Sequence, residues 1–595
     1  MPTLPCPALP SSPPSRPSRA LLVAALLLGP ACHRGAGEPS SPGADDPVER
    51  AVASIRGEDL ARHVRVLASD AFEGRFPGSA GEAKTVSYVS ATFARHGLRP
   101  GVDGSYLQPV PLVSVVLAPD TTASLTHAGS PSALRVPEDL ALSSPTTEAR
   151  VDLQDAELVF AGYGIVAPEH GWDDYAGVDV RGKVVVVLPG DPGPTRDDPA
   201  FFDGRALTVY GTSAHKAEQA AARGAAGLLT LHSLETIGVP WEVIAQGARL
   251  PHQQLADPEG PPKVRLQGLV PREGLRAALD EAAAAALDEA VTAAARDGFR
   301  ARPLPLRLSA SLRREVEAMT SHNVVGILPG AERAQEHVIY TAHWDHVGRD
   351  PMREGDGIFN GAVDNATGTA ALLELAEAFA SLPQPPARSV VLVATTAEEQ
   401  GLLGATWYAE HPVMPLADAV AVINMDALFP FGEMPGMTVV GLGSSELEGI
   451  MADAARTVGR RLVPDPSPEL GAFFRSDHYP FAHRGVPAIF AVGGPSDDPA
   501  ADQSALIGRF TEFVQRRYHQ VGDEYDPATW DMAGIVQDVT IYFRTGYAIA
   551  MDERRPQWNP GTPFRARHEA LRAAAQSDDA QEPASGGSSA TRASP

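Results

Sequence analysis

Carboxylates and histidines of this chain cluster where buried strands are predicted to end. The stretch Tyr340–Gly348, "YTAHWDHVG", follows an apolar run and carries two histidines and an aspartate within four positions. Glu398 and Glu399 follow the run "SVVLVATTA", and Asp426 follows "AVAVIN". Because functional groups collect at the carboxyl ends of strands in an open α/β sheet, we expect these side chains to meet at one edge.

Two loops add further candidates. Asp364 lies in the glycine-flanked loop "FNGAVDNATG" just before a predicted helix, and His519 lies in "RRYHQVGDEYD" near the C-terminus. Each acidic residue taken alone has an ordinary explanation, such as a helix cap or a contact with a helix dipole. Five potential nitrogen and oxygen ligands at three strand ends and two loops together favour a metal site.

The types of ligand restrict the chemistry. The only cysteines, Cys6 and Cys32, lie in the first 32 residues, so a metal must be held by histidine, aspartate and glutamate. Two histidines and three carboxylates cannot give two zinc ions four ligands each unless one carboxylate bridges and solvent fills the remaining positions. This set predicts a co-catalytic pair of zinc ions about 3.5–4 Å apart, with open positions for substrate.

Local geometry suggests how the neighbouring side chains divide the work. On an extended backbone His343 and Asp345 point the same way, so Asp345 can hold the far ring nitrogen of His343. His346 then points away, and we leave it out of the predicted site. Glu398 and Glu399 diverge in the same manner, so that one can bind metal while the other acts as general base.

Length and composition indicate a globular protein of two or more domains, with 595 residues, 44% hydrophobic and 21% charged. The net charge is 49 − 74 = −25, which argues against a nucleic-acid partner because such a partner favours a basic face.

The N-terminus has the features of an export signal. Two arginines precede the apolar run Ala20–Leu28, which is too short to span a bilayer and suits the apolar core of a signal peptide. The sequence "LGPAC" ends at Cys32 and resembles a bacterial lipoprotein cleavage site, although Gly29 stands where leucine is usual. We therefore expect an exported protein, either secreted or held in the cell envelope (outer membrane or periplasm) by a lipid at Cys32. The alternative is a start codon placed too early.

The chain changes texture along its length. From His322 strands and helices alternate, which predicts a mostly parallel α/β sheet. Residues 145–310 contain buried-strand candidates and alanine-rich helices but no cluster of chemically active side chains. The predicted organisation is a signal peptide at 1–32, a linker at 33–48, catalytic segments at 49–144 and 311–555, an inserted domain at 145–310 and a disordered tail at 556–595.

Six pieces of the sequence resemble, in order, metallopeptidase family 28, the co-catalytic zinc aminopeptidases. They are "AHWDHVG", "NGAVDNATG", "TTAEEQGLLGA", "INMDA", "RSDHYPF" and "YHQVGDEYD". The resemblance covers nearly everything from residue 50 to 550, including "LASDAFEGRFPGSAGE". It implies a three-layer α/β/α sandwich of the zinc-aminopeptidase type with a mostly parallel central sheet. It also implies that 145–310 is a β-rich protease-associated (PA) domain.

The resemblance assigns the metal ligands. It implies that His343 and Asp426 bind one zinc ion and that Glu399 and His519 bind the other. Asp364 would bridge the two ions, and the peptide bond after this aspartate is often cis in the family. All five ligand positions are intact in this sequence.

The resemblance also assigns roles in catalysis. Glu398 would be the general base and acid, and Asp345 the partner of His343. Tyr518 and Arg475 fall where some members place groups that steady the carbonyl oxygen of the intermediate. Val363 stands where close relatives often have a second aspartate, and we expect this departure to tune the site without removing it.

The implied function is that of an exopeptidase acting on peptides, most simply an aminopeptidase, because acidic surroundings suit a cationic N-terminus. A carboxypeptidase or dipeptidase on the same fold is the alternative, although Arg475 alone is not the basic cluster that an α-carboxylate needs. A single-zinc glutaminyl cyclase would not need five ligands. A non-catalytic binding ectodomain would usually lose ligands or the base. A serine hydrolase lacks its G-x-S-x-G signature here.

Overall fold

The structure is a computed structural model that describes residues 46–194, 198–237, 239–256, 262–296 and 298–581. The predicted signal peptide with Cys32, most of the predicted linker and the last residues from 582 lie outside these ranges. The first described helix begins at Pro47, where we expect order to begin. In the described part of the chain, no helix is both long enough and apolar enough to traverse a membrane.

The described segments contain strands and helices throughout. The strands are β1 Arg99–Pro100, β2 Leu107–Leu117, β3 Thr122–His127, β4 Ser130–Leu134, β5 Ala141–Ser143, β6 Arg150–Phe160, β7 Val166–Ala167, β8 Trp172–Asp173, β9 Val184–Val187, β10 Gly227–His232, β11 His252–Leu255, β12 Leu266–Pro271, β13 Arg302–Leu328, β14 Arg333–His343, β15 Gly348–Arg349, β16 Ile358–Phe359, β17 Arg388–Thr395, β18 Ala419–Asn424, β19 Gly436–Val440, β20 Arg461–Pro464 and β21 Ala488–Gly494. The α-helices are α1 Pro47–Ser54, α2 Gly57–Leu67, α3 Ala80–Arg95, α4 Ser213–Ala222, α5 Leu234–Ile237, α6 Trp241–Gly247, α7 Arg272–Ala277, α8 Glu281–Ala293, α9 Thr367–Ala380, α10 Leu403–Glu410, α11 Leu447–Thr457, α12 His478–His483, α13 Ser504–Arg516, α14 Ala533–Met551 and α15 Pro563–Gln581.

The main sheet carries the predicted site. Its strand order is β11-β2-β13-β17-β14-β18-β21-β19-β20, and β1 adds a short pairing to β13. The four central strands β17, β14, β18 and β21 run parallel to one another. This arrangement confirms the predicted α/β fold with a mostly parallel central sheet.

The central strands are apolar on both faces because helices cover both sides of the sheet. Successive side chains of β14 alternate between the faces. Tyr340 and Ala342 pack in the core that includes residues of α2, α9 and α14, whereas Ile339 packs with α10 and α12. The main domain is therefore the predicted three-layer sandwich.

The register of the central strands brings their carboxyl ends together. His343, the last residue of β14, lies opposite Thr395, the last residue of β17. Thr341 of β14 lies opposite Asn424, the last residue of β18. The residues that follow these strands therefore emerge at one edge of the sheet, as open α/β sheets require of a binding site.

A second sheet forms a lateral lobe, which we define as residues 118–313. It contains β3–β6, β9, β10, β12 and the first half of β13. The long strand β13 passes from this sheet into the main one, where its second half pairs with β2 and β17. The lobe has its own apolar cores, separate from those of the main sheet.

The predicted start of the inserted segment at residue 145 is wrong by about 25 residues. Strand Thr122–His127 already pairs with β13 in the lobe, with His127 opposite Leu306. The partner strand lies far along the chain, so no local pattern distinguishes this strand from those of the main sheet. Conversely, β11 lies within the sequence range of the lobe but pairs with β2 at the edge of the main sheet.

The predicted disordered tail from residue 556 is wrong for residues 556–581. Helix α15 packs on the main domain through Phe564, which lies beside Trp558 and stacks on Phe473 at a ring-centroid distance of 5.4 Å. His568 is buried, and its Nδ1 lies 2.9 Å from the carbonyl oxygen of Gly485. The alanine-rich composition conceals these few anchoring residues.

We expect the Phe564→Ala variant to lower the free energy of unfolding by about 3–5 kcal/mol, since a buried aromatic ring is replaced by a cavity. Urea unfolding followed by tryptophan fluorescence measures the change. Removing an exposed side chain of the same helix in Glu569→Ala should change the free energy by less than about 0.5 kcal/mol. An equally small effect of Phe564→Ala would contradict the packing of α15.

Candidate metal centre

The five predicted ligands are supplied by five different segments at the carboxyl edge of the main sheet. His343 ends β14, and Asp426 is the second residue after β18. Glu399 lies in the loop between β17 and α10, Asp364 lies just before α9, and His519 follows α13. All five side chains meet at one place.

His343 is the centre of the first half of the site. Its Nε2 atom lies 3.2 Å from Asp426 Oδ1 and 3.4 Å from Asp364 Oδ1. Glu398 Oε2 is farther away, at 4.0 Å. This half therefore brings together one imidazole and two near carboxylates, with Glu398 at the side.

His519 is the centre of the second half. Its Nε2 atom lies 3.0 Å from Glu399 Oε2 and 3.1 Å from Asp364 Oδ2. Asp364 thus turns one carboxylate oxygen toward each histidine. The peptide bond between Asp364 and Asn365 is cis, and the side chain of Asn365 donates to the carbonyl oxygen of Met425 at 3.0 Å.

The donor set fits two zinc ions. It consists of imidazole nitrogens and carboxylate oxygens, which are ligands that zinc takes in catalytic sites. Two groups of side chains each lie close enough together to hold an ion: His343, Glu398 and Asp426 form the first, and His346, Asp364 and Glu399 form the second. Asp364 turns one carboxylate oxygen toward His343 and the other toward His519, so this side chain could serve both groups.

Asp345 contacts residues of both halves of the site, and each of its hydrogen bonds there involves a backbone group. Its carboxylate accepts the N–H groups of Glu398 at 3.1 Å and Glu399 at 3.3 Å. His343 Nδ1 lies 3.2 Å from the backbone carbonyl oxygen of Asp345 and 3.9 Å from its carboxylate. Burial raises the pKa of Asp345 to about 7. The Asp345 carboxylate therefore orients the two glutamates, whereas the ring nitrogen of His343 that we expected it to hold lies closer to the Asp345 backbone carbonyl oxygen.

The expectation that His346 points away from the site is wrong. His346 is fully buried, and its Nδ1 lies 2.6 Å from Glu399 Oε1. The strand β14 ends at His343, so the alternation of an extended chain no longer applies three residues later. His346 leaves Oε2 of Glu399 as the oxygen that faces His519.

Two hydrogen-bonding residues of the site were missed in the sequence. Ser476 donates to Asp426 Oδ2 and itself accepts from Asn424 Nδ2 at 2.7 Å. Asp523 is buried and accepts the N–H of Asp364 at 3.0 Å. Burial raises the pKa of Asp523 to about 6. Both lie inside the motifs that carry the resemblance, so their position in "RSDHYPF" and "YHQVGDEYD" was the available signal.

Arg75 is a further buried group beside the site. Its guanidinium donates to the carbonyl oxygens of Leu67, Trp344, Asn360 and Gly361 at 2.7–2.8 Å. Burial lowers the pKa of Arg75 to about 10, although the nearby carboxylates of the site favour its charged form. Arg75 ties the N-terminal segment to the two loops that carry the first ligands.

Glu398 has the environment of a proton carrier. It is nearly buried beside His343, and burial, together with the charges of Asp426 and Glu399, raises its pKa well above the usual range. Bound cations would act in the opposite direction and restore the carboxylate. Glu398 is therefore placed to accept and release a proton beside the donor set.

A cavity of about 1080 Å³ opens onto the donors. Tyr518 and Arg475, the two predicted oxyanion groups, both lie in its wall. The Tyr518 ring stacks on that of His519 at a centroid distance of 4.0 Å, and burial raises the pKa of Tyr518. Both side chains are thus within the same chamber as the donors.

Comparison with known proteins gives a family and several partial relatives. Residues 323–544 match Peptidase family M28. The chain is 34% identical to "Aminopeptidase NAALADL1" of Mus musculus over 21% of this chain and 16% of the relative. It is 32% identical to "Probable glutamate carboxypeptidase AMP1" of Arabidopsis thaliana over 28% of this chain and 22% of the relative. It is 27% identical to "Aminopeptidase YwaD" of Bacillus subtilis over 36% of this chain and 45% of the relative.

The chain thus spans less than half the length of each of these relatives. The matched family segment nevertheless contains every one of the five predicted metal ligands, together with Glu398 and Asp345. Residues 323–544 therefore form a peptidase domain of family M28.

Proposed function

We propose that this chain is an aminopeptidase that holds two zinc ions and removes N-terminal residues from peptides. The observation that carries the proposal is the Asp364 carboxylate, with one oxygen 3.4 Å from His343 and the other 3.1 Å from His519. A carboxylate in this position is suited to two ions and is of little use to a single one.

The zinc ions would be held by His343, Asp364, Glu399, Asp426 and His519. Zinc bound there supplies Lewis-acid polarisation of the scissile carbonyl and activation of water. Glu398 takes the proton of the attacking water and passes it to the leaving amine. Tyr518, in the cavity wall, would donate a hydrogen bond from its hydroxyl group to the carbonyl oxygen as negative charge develops there.

A carboxypeptidase or dipeptidase remains the second candidate, and one observation favours it. The cavity wall contains Arg484 and Arg567 in addition to Arg475. The basic cluster that an α-carboxylate needs is therefore more complete than the sequence alone indicates. The relatives reported above also include both aminopeptidases and a probable glutamate carboxypeptidase.

A substrate panel separates the two candidates. Residues 33–595 are assayed with aminoacyl-nitroanilides and with N-acetylated peptides, before and after chelation and after return of zinc. We expect hydrolysis of the nitroanilides that chelation abolishes and zinc restores. Cleavage restricted to the blocked peptides would replace the aminopeptidase by the carboxypeptidase, and cleavage that survives complete removal of metal would exclude both.

We also propose that the protein is exported, that Cys32 is its lipid anchor and that the lateral lobe is a PA domain. The export proposal is supported by the nine-residue apolar run Ala20–Leu28 and by "LGPAC". Mass spectrometry of the mature N-terminus tests it, because a lipid-modified cysteine at position 32 is expected. An unmodified N-terminus upstream of residue 32 would contradict it.

A further inference from the structure

Part of the cavity wall comes from outside the peptidase segment 323–544. Ala214 and Glu218 of helix α4, in the lateral lobe, line the same cavity as the metal donors. Arg567 of the C-terminal helix α15 lines it as well. Two elements that the family segment does not contain therefore shape the space in which a substrate must lie.

Arg567 is held firmly at this wall. Its helix is anchored by the buried residues Phe564 and His568, one on each side of Arg567. One guanidinium nitrogen, Nη1, donates to the carbonyl oxygen of His483 at 3.0 Å and lies 3.2 Å from His483 Nε2. Among the described residues, none accepts a hydrogen bond from the other terminal nitrogen, Nη2. Its N–H groups are therefore available to a ligand.

No carboxylate of the described residues lies within 4.0 Å of the Arg567 guanidinium, although its charge acts on Glu218 of the same wall and opposes the rise that burial causes in the pKa of that carboxyl. Arg475 likewise forms no ion pair with the described residues, whereas Arg484 forms an ion pair with Glu410. Glu218 is the acidic group of the lobe on this wall, and it too forms no ion pair there. Burial and the charge of Arg567 lower the pKa of His483 to about 4, so this histidine adds no positive charge at neutral pH.

The cavity is therefore acidic at the donor set, and its wall also carries two guanidinium groups, those of Arg475 and Arg567, that form no ion pair with the described residues. A short peptide with free ends has the matching distribution of charge, an ammonium group at one end and a carboxylate at the other. The cavity volume of about 1080 Å³ slightly exceeds the range of about 300–1,000 Å³ that is usual for small-molecule pockets, so more than one amino-acid residue fits.

We infer that Arg567 is a specificity-determining residue that binds the free C-terminal carboxylate of short peptide substrates. The guanidinium fork matches a carboxylate geometrically, and such charge-assisted hydrogen bonds are stronger than neutral ones. This inference rests on the proposed function and names its substrate class: short peptides with an unmodified C-terminus, in preference to long or amidated chains.

The test compares trialanine with its C-terminal amide, using residues 33–595 loaded with zinc. We expect the wild-type protein to show a higher kcat/KM for the free acid than for the amide. The ratio of the two values should fall about tenfold in Arg567→Ala, which corresponds to about 1.4 kcal/mol. Arg567→Lys should keep part of the preference, because it keeps the charge and loses the fork.

Arg565→Ala is the matched control. Arg565 lies on the same helix, pairs with Glu569 and does not line the cavity. Its removal changes the net charge equally, so the acid-to-amide ratio should equal that of the wild type. A ratio that is unchanged in Arg567→Ala, or that falls as far in Arg565→Ala, would overturn the inference.

Failure of the proposed function has a different signature. If the wild-type protein cleaves neither peptide, calorimetric binding of the same two peptides decides the role of Arg567 separately. Tighter binding of the free acid that disappears in Arg567→Ala supports the inference. Equal affinities for acid and amide, or no binding of either, contradict it.

Discussion

Glu398→Gln is expected to reduce kcat by about 10³–10⁴-fold while the content of zinc stays at two ions per chain. The upper part of the range for general acid–base catalysis applies because one carboxylate both accepts and returns the proton. Glu398 Oε2 lies 4.0 Å from His343 Nε2, farther than the two nearer carboxylates of that half. The amide keeps the volume of the side chain and removes its ability to take a proton.

The measurement pairs nitroanilide turnover with metal analysis of the same sample. Glu332→Gln serves as control, because Glu332 is 70% exposed and contacts the donor set nowhere. Loss of one zinc ion in Glu398→Gln would make Glu398 a ligand and leave the general base unassigned. Turnover near the wild-type rate with both ions present would exclude Glu398 as the base.

Asp364→Ala is expected to weaken the binding of both metal ions by more than about 100-fold. Loss of an outer hydrogen-bonding partner of a ligand typically costs 10–100-fold in affinity, and a shared ligand should cost more. Without Asp364, His343 keeps Asp426 as its near carboxylate and His519 keeps Glu399. Competition with a chromophoric chelator gives the affinity of each ion.

A second variant, at Asp523, is expected to have a smaller effect on metal binding than Asp364→Ala. Asp523 contacts no predicted donor atom but accepts the N–H groups of Val363 and Asp364. Asp523→Asn should therefore weaken metal binding by about 10–100-fold, less than Asp364→Ala does. One ion that remains bound to Asp364→Ala with wild-type affinity would mean that Asp364 is not shared.

The convergence of the donors was predictable because it follows from strand ends. His343, Glu399 and Asp426 come directly after apolar runs, and the carboxyl ends of parallel strands share an edge. The central strands are buried on both faces, so their sequences read as continuous apolar segments. Asp364 and His519 do not follow central strands, so their place in the site was predicted from their residue types in two loops and from the resemblance.

The supporting contacts were less predictable because they depend on backbone that is neither helix nor strand. His346 reaches Glu399 only because β14 ends at His343. Arg75 binds four carbonyl oxygens, two of them about 285 residues away. A side chain that recognises distant backbone leaves no periodic signal in the sequence.

The predicted start of the inserted domain and the predicted start of the disordered tail were wrong for a related reason. Strand β3 belongs to the lateral lobe because it pairs with residues 306–311, and the local pattern near residue 122 carries no trace of that partner. Helix α15 depends on Phe564 and His568 in a segment that otherwise reads as a polar tail. Amino-acid composition reveals neither the pairing of strands that lie far apart in the sequence nor the few buried residues that anchor a helix.

We expect a single aspartate, Asp364, to serve two metal ions. Anomalous diffraction at the zinc absorption edge from crystals of the zinc-loaded protein tests it most directly. The expected result is two peaks about 3.5–4 Å apart, one beside His343 and Asp426 and one beside Glu399 and His519, with Asp364 in contact with both. A single peak, or two peaks of which Asp364 touches one only, would contradict the claim.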